Sequence, residues 1–114
     1  MAGSLWKTIV DDGPPIYYNN EFRIMLEKHL NWLLGRPKTQ VVPIKPNMAI
    51  RNDYDFYGVL RELKIAPQFH WIVLRMNGYT NPMEYRSERL SVVVPDTADL
   101  DQLRTTFTTV HRIS

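Results

Sequence analysis

The sequence predicts an α+β fold: a strand–helix–helix–strand core, preceded by an N-terminal arm and helix and followed by a β-prone extension. Three observations carry this. Two short β-branched runs, "QVVPI" from Gln40 and "LSVVV" from Leu90, lie far apart and suit each other as partners. Between them, two stretches carry apolar residues at helical spacing, separated by Ile65-Ala66-Pro67. Asn77-Gly78 and Asn81-Pro82 then stop the second helix and turn the chain back.

The elements follow in order. Residues 1–20 hold an apolar cluster, the breaker Asp11-Asp12-Gly13-Pro14-Pro15, and Ile16-Tyr17-Tyr18, which together read as an extended arm. From Asn20, Phe22, Leu26, Leu30 and Leu33 share one helical stripe that ends at Gly35 and Pro37. Pro43 donates no hydrogen bond, so "QVVPI" belongs at an edge or a strand end. A second strand start is expected over Met48 to Arg51. Asn52 is expected to cap the next helix, with Asp55 in a capping-box-like place and Phe56, Val59, Leu60 and Leu63 as its buried stripe.

Pro67 suits the first turn of a helix whose apolar face is Phe69, Ile72, Val73 and Met76, broadened by Trp71 and Leu74. Leu90, Val92 and Val94 alternate as a strand closed by Pro95, and Asp96 or Thr97 opens a short helical turn through Leu103. The ending "TTFTTVHRIS" reads as a strand seeking an edge. The organisation is then an arm and helix over 1–39, a core domain over 40–103 and an extension over 104–114.

With 114 residues the chain has room for one core. Its 14 basic and 12 acidic residues are dispersed, which argues against a nucleic-acid-binding stripe. The absence of cysteine removes disulfides and thiolate metal sites. No run has the length of a signal peptide's apolar core or of a membrane span, so a soluble, unprocessed chain is expected.

Catalytic chemistry finds little support. His29, His70 and His111 lack metal-site spacing, so neither metal nor cofactor is expected. Asp53 with Asp55, or Asp11 with Asp12, has a simpler place in a helix start or a polar bend. The glycines are dispersed rather than grouped in a phosphate loop, and the serines lack a nucleophile's context. A non-enzymatic protein is expected.

The ordered pieces "VVPI", "NDYDFYGVLREL", "APQFHWIVLRMNG", "YTNP" and "RLSVVVP" resemble the LysM module. More narrowly, "FYGVLRELKIAPQFHWIVLRMNGYTNPMEY" resembles the LysM-like region of small baseplate wedge proteins of contractile-tailed bacteriophages. That resemblance implies a structural subunit of the virion's tail baseplate, made in the host cytoplasm. Its partners would be other baseplate or tail proteins in a hetro-oligomeric assembly, with no nucleic acid and no membrane. A different function implied by the LysM likeness is binding of peptidoglycan or chitin-type N-acetylglucosamine polymers, in a groove using Asn52, Asp53, Tyr79 and Asn81. Against it, "KPNMAIRND" stands where glycan-binding repeats usually carry a Pro-Gly-Asp/Glu-Thr type of turn.

Aromatic residues divide accordingly. Trp71, Phe69, Tyr57 and Tyr79 are candidates for sugar stacking, but the apolar density around Trp71 and Phe69 favours packing. At the ends, Leu5, Trp6, Ile9, Tyr17 and Tyr18, with Phe107, Val110 and Ile113, exceed what a core of about 55 residues covers. They are the expected anchors for partner chains, because Trp and Tyr are enriched at interface centres and a β-prone end seeks a partner sheet.

Overall fold

The computed structural model describes residues 15–111, with the side chains of Pro15 and of residues 109–111 left out. Leu5, Trp6, Ile9 and Ile113 lie outside the described residues, as does the side chain of Val110. The fold is α+β, a set of helices around one two-stranded antiparallel sheet.

A 3-10 turn at Pro15–Tyr18 leads into α1, Asn20–Lys28. Asn19 caps α1 by accepting the Phe22 N–H at 3.0 Å. The single helix expected through Leu34 is broken at His29, whose Nδ1 bonds the Met25 carbonyl, and it resumes as α2, Leu30–Leu34. The predicted stripe survives the break: Phe22, Leu26 and Leu33 are buried and Leu30 half-buried.

β1 spans Gln40–Pro43 and α3 spans Pro46–Arg51. The strand start expected at Met48 to Arg51 is therefore a helix. Pro46 fixes the φ of its first turn and Ala49 turns into the core. α4 covers Phe56–Glu62, and its cap is Asp55, which accepts the Gly58 N–H at 3.0 Å. Asn52, expected as that cap, instead ends α3, because the chain needs three further residues to reorient before α4. A 3-10 turn at Pro67–Phe69 enters α5, His70–Met76, buried on several sides as expected. Gly78 follows with φ +84°, where a Cβ would be strained.

β2, Ser91–Val94, pairs with β1 in the register Gln40 with Val94, Val41 with Val93, Val42 with Val92 and Pro43 with Ser91. Val92 is the buried centre of the inner face, whereas Leu90, expected beside it, is exposed and precedes the strand. Three α-helices, rather than two, separate the strands.

The two outer edges of this sheet differ. The Ile44 N–H donates to Leu90 O at 2.8 Å, and the pairing alternates from there. Val41, Pro43, Ser91 and Val93 consequently turn their backbone groups outward. On the β2 side the Asn77 carboxamide meets Val93 as a neighbouring strand would. Its Oδ1 accepts the Val93 N–H at 2.8 Å and its Nδ2 donates to Val93 O at 2.9 Å and to Val73 O at 2.7 Å. The β1 edge has no such cover in the hydrogen bonds described, but Pro43 removes one outward donor.

α6 runs from Thr97 to His111 and replaces the β-prone extension. Leu100, Leu103 and Phe107 recur at helical spacing and are buried, and the Phe107 ring lies 5.2 Å from Phe22 on α1. That burial overrides the weak helix propensity of the threonines. Thr106 and Thr108 each bond the carbonyl four residues back, so their hydroxyls are satisfied within the helix.

Phe107 and Tyr17, expected as anchors for neighbouring chains, are therefore used inside this one. Tyr17 packs edge-on to Phe22 at 5.5 Å and Phe69 at 5.2 Å, and its hydroxyl donates to Asp101 on α6 at 3.3 Å. Burial first, then the Asp101 charge, pushes its pKa up to about 12. Tyr18 stays half-exposed. One continuous core joins α1, the sheet-bearing middle and α6.

Candidate functional site

Local sequence brings the four glycan-groove candidates to one corner, where each makes at least one hydrogen bond within the protein. Asn52 is buried, and its Nδ2 donates to Met48 O at 2.9 Å and to Glu62 Oε2 at 2.6 Å. Glu62 also accepts Arg51 Nη2 at 2.5 Å, and Arg51 followed by Asn52 holds its carboxyl below the usual range. Gly58 leaves the space this node requires: a Cβ there would lie 2.2 Å from Asn52 Oδ1.

The same closure holds across the rest of the corner. Asp53 accepts the Ser87 N–H at 2.9 Å, and the next residue, Tyr54, donates its own N–H to Tyr85 O at 2.8 Å. Asn81 accepts the Met83 N–H and opens the 3-10 turn Pro82–Glu84. Tyr79 packs against Phe56 at 5.0 Å and Tyr85 at 6.5 Å, with the Arg89 guanidinium 5.3 Å above its ring. The walls of the expected groove are thus joined by hydrogen bonds and stacked rings.

The other aromatic candidates are half-buried. Phe69 packs on Tyr17, Tyr57 lies 5.3 Å from His70, and Trp71 carries the Arg23 guanidinium 5.1 Å from its centroid. The catalytic candidates are engaged as well. Asp55 caps α4 and pairs with Arg61, while His29 and His70 bond the carbonyls of Met25 and Ile65. Burial lowers the His70 pKa, against the opposing hydrogen bond to the Ile65 carbonyl. Among the described residues, no three His, Asp or Glu side chains converge as a metal site.

What the corner offers outward is apolar and cationic. Ile50 is 68 % exposed, Met83 65 % and Tyr54 53 %, and the Arg86 guanidinium stacks 4.0 Å over the Tyr54 ring. On the outer face of β1, Val41 is also 68 % exposed. Methionine, tyrosine and arginine are types enriched at protein interfaces. Sequence reasoning missed Ile50 because it read Met48 to Arg51 as a strand. In a helix, Ala49 faces inward and Ile50 outward.

No family model, curated protein or solved structure matches this chain. Among the described residues, no helix is long and apolar enough to cross a membrane.

Proposed function

We propose that this chain is a non-enzymatic structural subunit that joins neighbouring proteins in a larger assembly, the baseplate wedge of a contractile phage tail. The assembly role rests on physical chemistry: Ile50, Tyr54, Met83 and Val41 are large apolar side chains left in solvent outside the buried core. The baseplate setting rests on the LysM-like sequence resemblance. The observation that carries the reading against glycan binding is the internal engagement of Asn52, Asp53 and Asn81.

The ends of the described fold support attachment through terminal segments. Tyr17 and Phe107, near the two ends of the described fold, both pack against the ring of Phe22 on α1. Leu5, Trp6 and Ile9 near the N-terminus remain the proposed partner anchors, with Val110 and Ile113 near the C-terminus.

The test is co-expression with tail proteins encoded by the same phage, followed by sedimentation of the purified mixture. A stable complex that weakens at least tenfold when Ile50→Glu and Met83→Glu are introduced is the expected result. A chain that sediments alone with every such protein, or that binds peptidoglycan saturably and loses binding with Tyr79→Ala, would overturn the proposal.

A further inference from the structure

The outward edge of β1 is the open side of the sheet. Ile44 bonds Leu90, so the alternation directs the Val41 N–H and the carbonyls of Val41 and Pro43 away from β2. On the opposite edge the Asn77 carboxamide bonds Val93, but among the described residues no side chain does the same for Val41. The Val41 side chain is exposed beside those groups. An open edge of this kind is a template for one further strand, which backbone hydrogen bonds hold and side-chain matches select.

Charge at the two ends of this edge restricts what can lie there. Lys38 and Lys45 are exposed on either side of β1, and among the described residues neither joins an ion pair. Lys45 also lines a hollow of about 530 Å³ with Pro46, Asn47, Met48 and Arg51. Arg51 pairs with Glu62, which leaves Lys45 as the cation there with no carboxylate of its own among the described residues. A second copy of this chain matches the edge badly. Laid antiparallel with Val41 beside Val41, it sets each Lys38 within one position of the other copy's Lys45, and like charges that close repel. Only the two bonds between the Val41 residues would form, because Pro43 has no N–H and the Thr39 N–H already donates to Arg36 O.

We propose that the β1 edge binds an extended segment of a partner protein, antiparallel to Gln40–Pro43, with a β-branched apolar residue beside Val41 and acidic residues three or four places to either side. The antiparallel sense lets one partner residue exchange two hydrogen bonds with Val41, and the N–H two places before it donates to Pro43 O. That third bond needs only the carbonyl of Pro43, so the proline costs this partner one hydrogen bond and no more. The acidic residues lie beside Lys38 and Lys45, which supply the charge that selects the segment. The inference rests on the proposed joining role and names the chemistry of one partner segment, using none of Ile50, Tyr54 and Met83.

The probe is the end-blocked peptide Asp-Asp-Val-Thr-Val-Thr-Val-Asp-Asp, compared with the same peptide carrying lysine in place of each aspartate. Both are titrated calorimetrically into the full-length protein at low salt. The acidic peptide is expected to bind at least tenfold more tightly than the basic one, to weaken as salt rises, and to protect the Val41 N–H from amide exchange. Val41→Pro deletes that outward N–H while leaving the bonds between β1 and β2, and should weaken binding at least tenfold with the Tm holding within a few degrees. Lys38→Glu with Lys45→Glu should reverse the preference between the peptides. No binding of the acidic peptide at millimolar concentration, equal affinity for the two peptides, or binding that leaves the Val41 N–H unprotected would overturn the inference. So would a dimer of the chain alone that protects this N–H, since it gives the edge to a second copy. None of these readings involves the complex with tail proteins or its Ile50→Glu and Met83→Glu variants, so this inference and the joining role can fail separately.

Discussion

Replacing Asn77 by leucine tests the edge seal of the sheet. The side chain is 5 % exposed, and the change keeps its bulk while deleting three hydrogen bonds. Val73 O retains the Asn77 backbone N–H at 3.1 Å, so the groups left orphaned are the N–H and C=O of Val93. Each unsatisfied backbone group costs about 1–3 kcal/mol, and because Val93 is only half-buried the lower part of that range applies. The sum is about 3 kcal/mol, which for a chain of this length lowers Tm by about 12 °C. Differential scanning calorimetry measures that loss, and amide exchange should show the Val93 N–H losing protection while Val92 keeps its own. Asn77→Asp sharpens the test, because a carboxylate at this place faces the carbonyls of Val73 and Val93. Its folded-state pKa rises above the ordinary 3.9, so the variant should be least stable at neutral pH and recover as pH falls below about 5. A Tm within 3 °C of the parent for Asn77→Leu, with Val93 still protected, would refute the seal.

Three further outcomes are expected. Phe107→Ala should lower stability by about 3 kcal/mol in urea titration, since it removes a buried ring packed on Phe22, and an unchanged midpoint would contradict the helical C-terminus. Gly58→Ala should destabilise by about 2 kcal/mol despite alanine's better helix propensity, because its Cβ displaces the Asn52 carboxamide from its bonds to α3 and Glu62; increased stability would count against that node. Tyr17 has a folded-state pKa raised to about 12, so its contribution is complete below pH 10 and is lost as pH rises from 10 to 12. Tyr17→Phe should flatten the alkaline fall in stability over that window, although Tyr57 and Tyr85, also raised by burial, keep part of it; identical pH profiles would refute the assignment.

Much of the helical structure was legible because its signals are local. Phe22, Leu26 and Leu33 at helical spacing, Pro67 at a first turn and Gly78 at a stop are read from neighbouring residues, and the structure uses each of them that way. The capping of α4 was displaced by three residues because Asn52 and Asp55 are both good caps, and only the presence of α3 decides between them. The candidate groove failed for a related reason. Asn52 and Asp53 carry the donors and acceptors that sugar recognition needs, but those groups serve equally well to join α3, α4 and the Tyr85–Ser87 segment. Composition cannot tell an exposed amide from one that is already bonded.

By itself, then, the sequence determined the α+β class, the pairing of the runs that start at Gln40 and Leu90, and most helix stops, because periodicity and backbone preference act over a few residues; the antiparallel sense and the register came from the structure. Tertiary structure alone decided that the threonine-rich end is a helix, since Phe107 gains more by burial on Phe22 than six β-prone residues gain by extension. It also decided that Asn77, a helix stop by local rules, seals an edge sixteen residues away. Both outcomes depend on which distant surface a residue meets, and that information is in the packing rather than in any window of the chain.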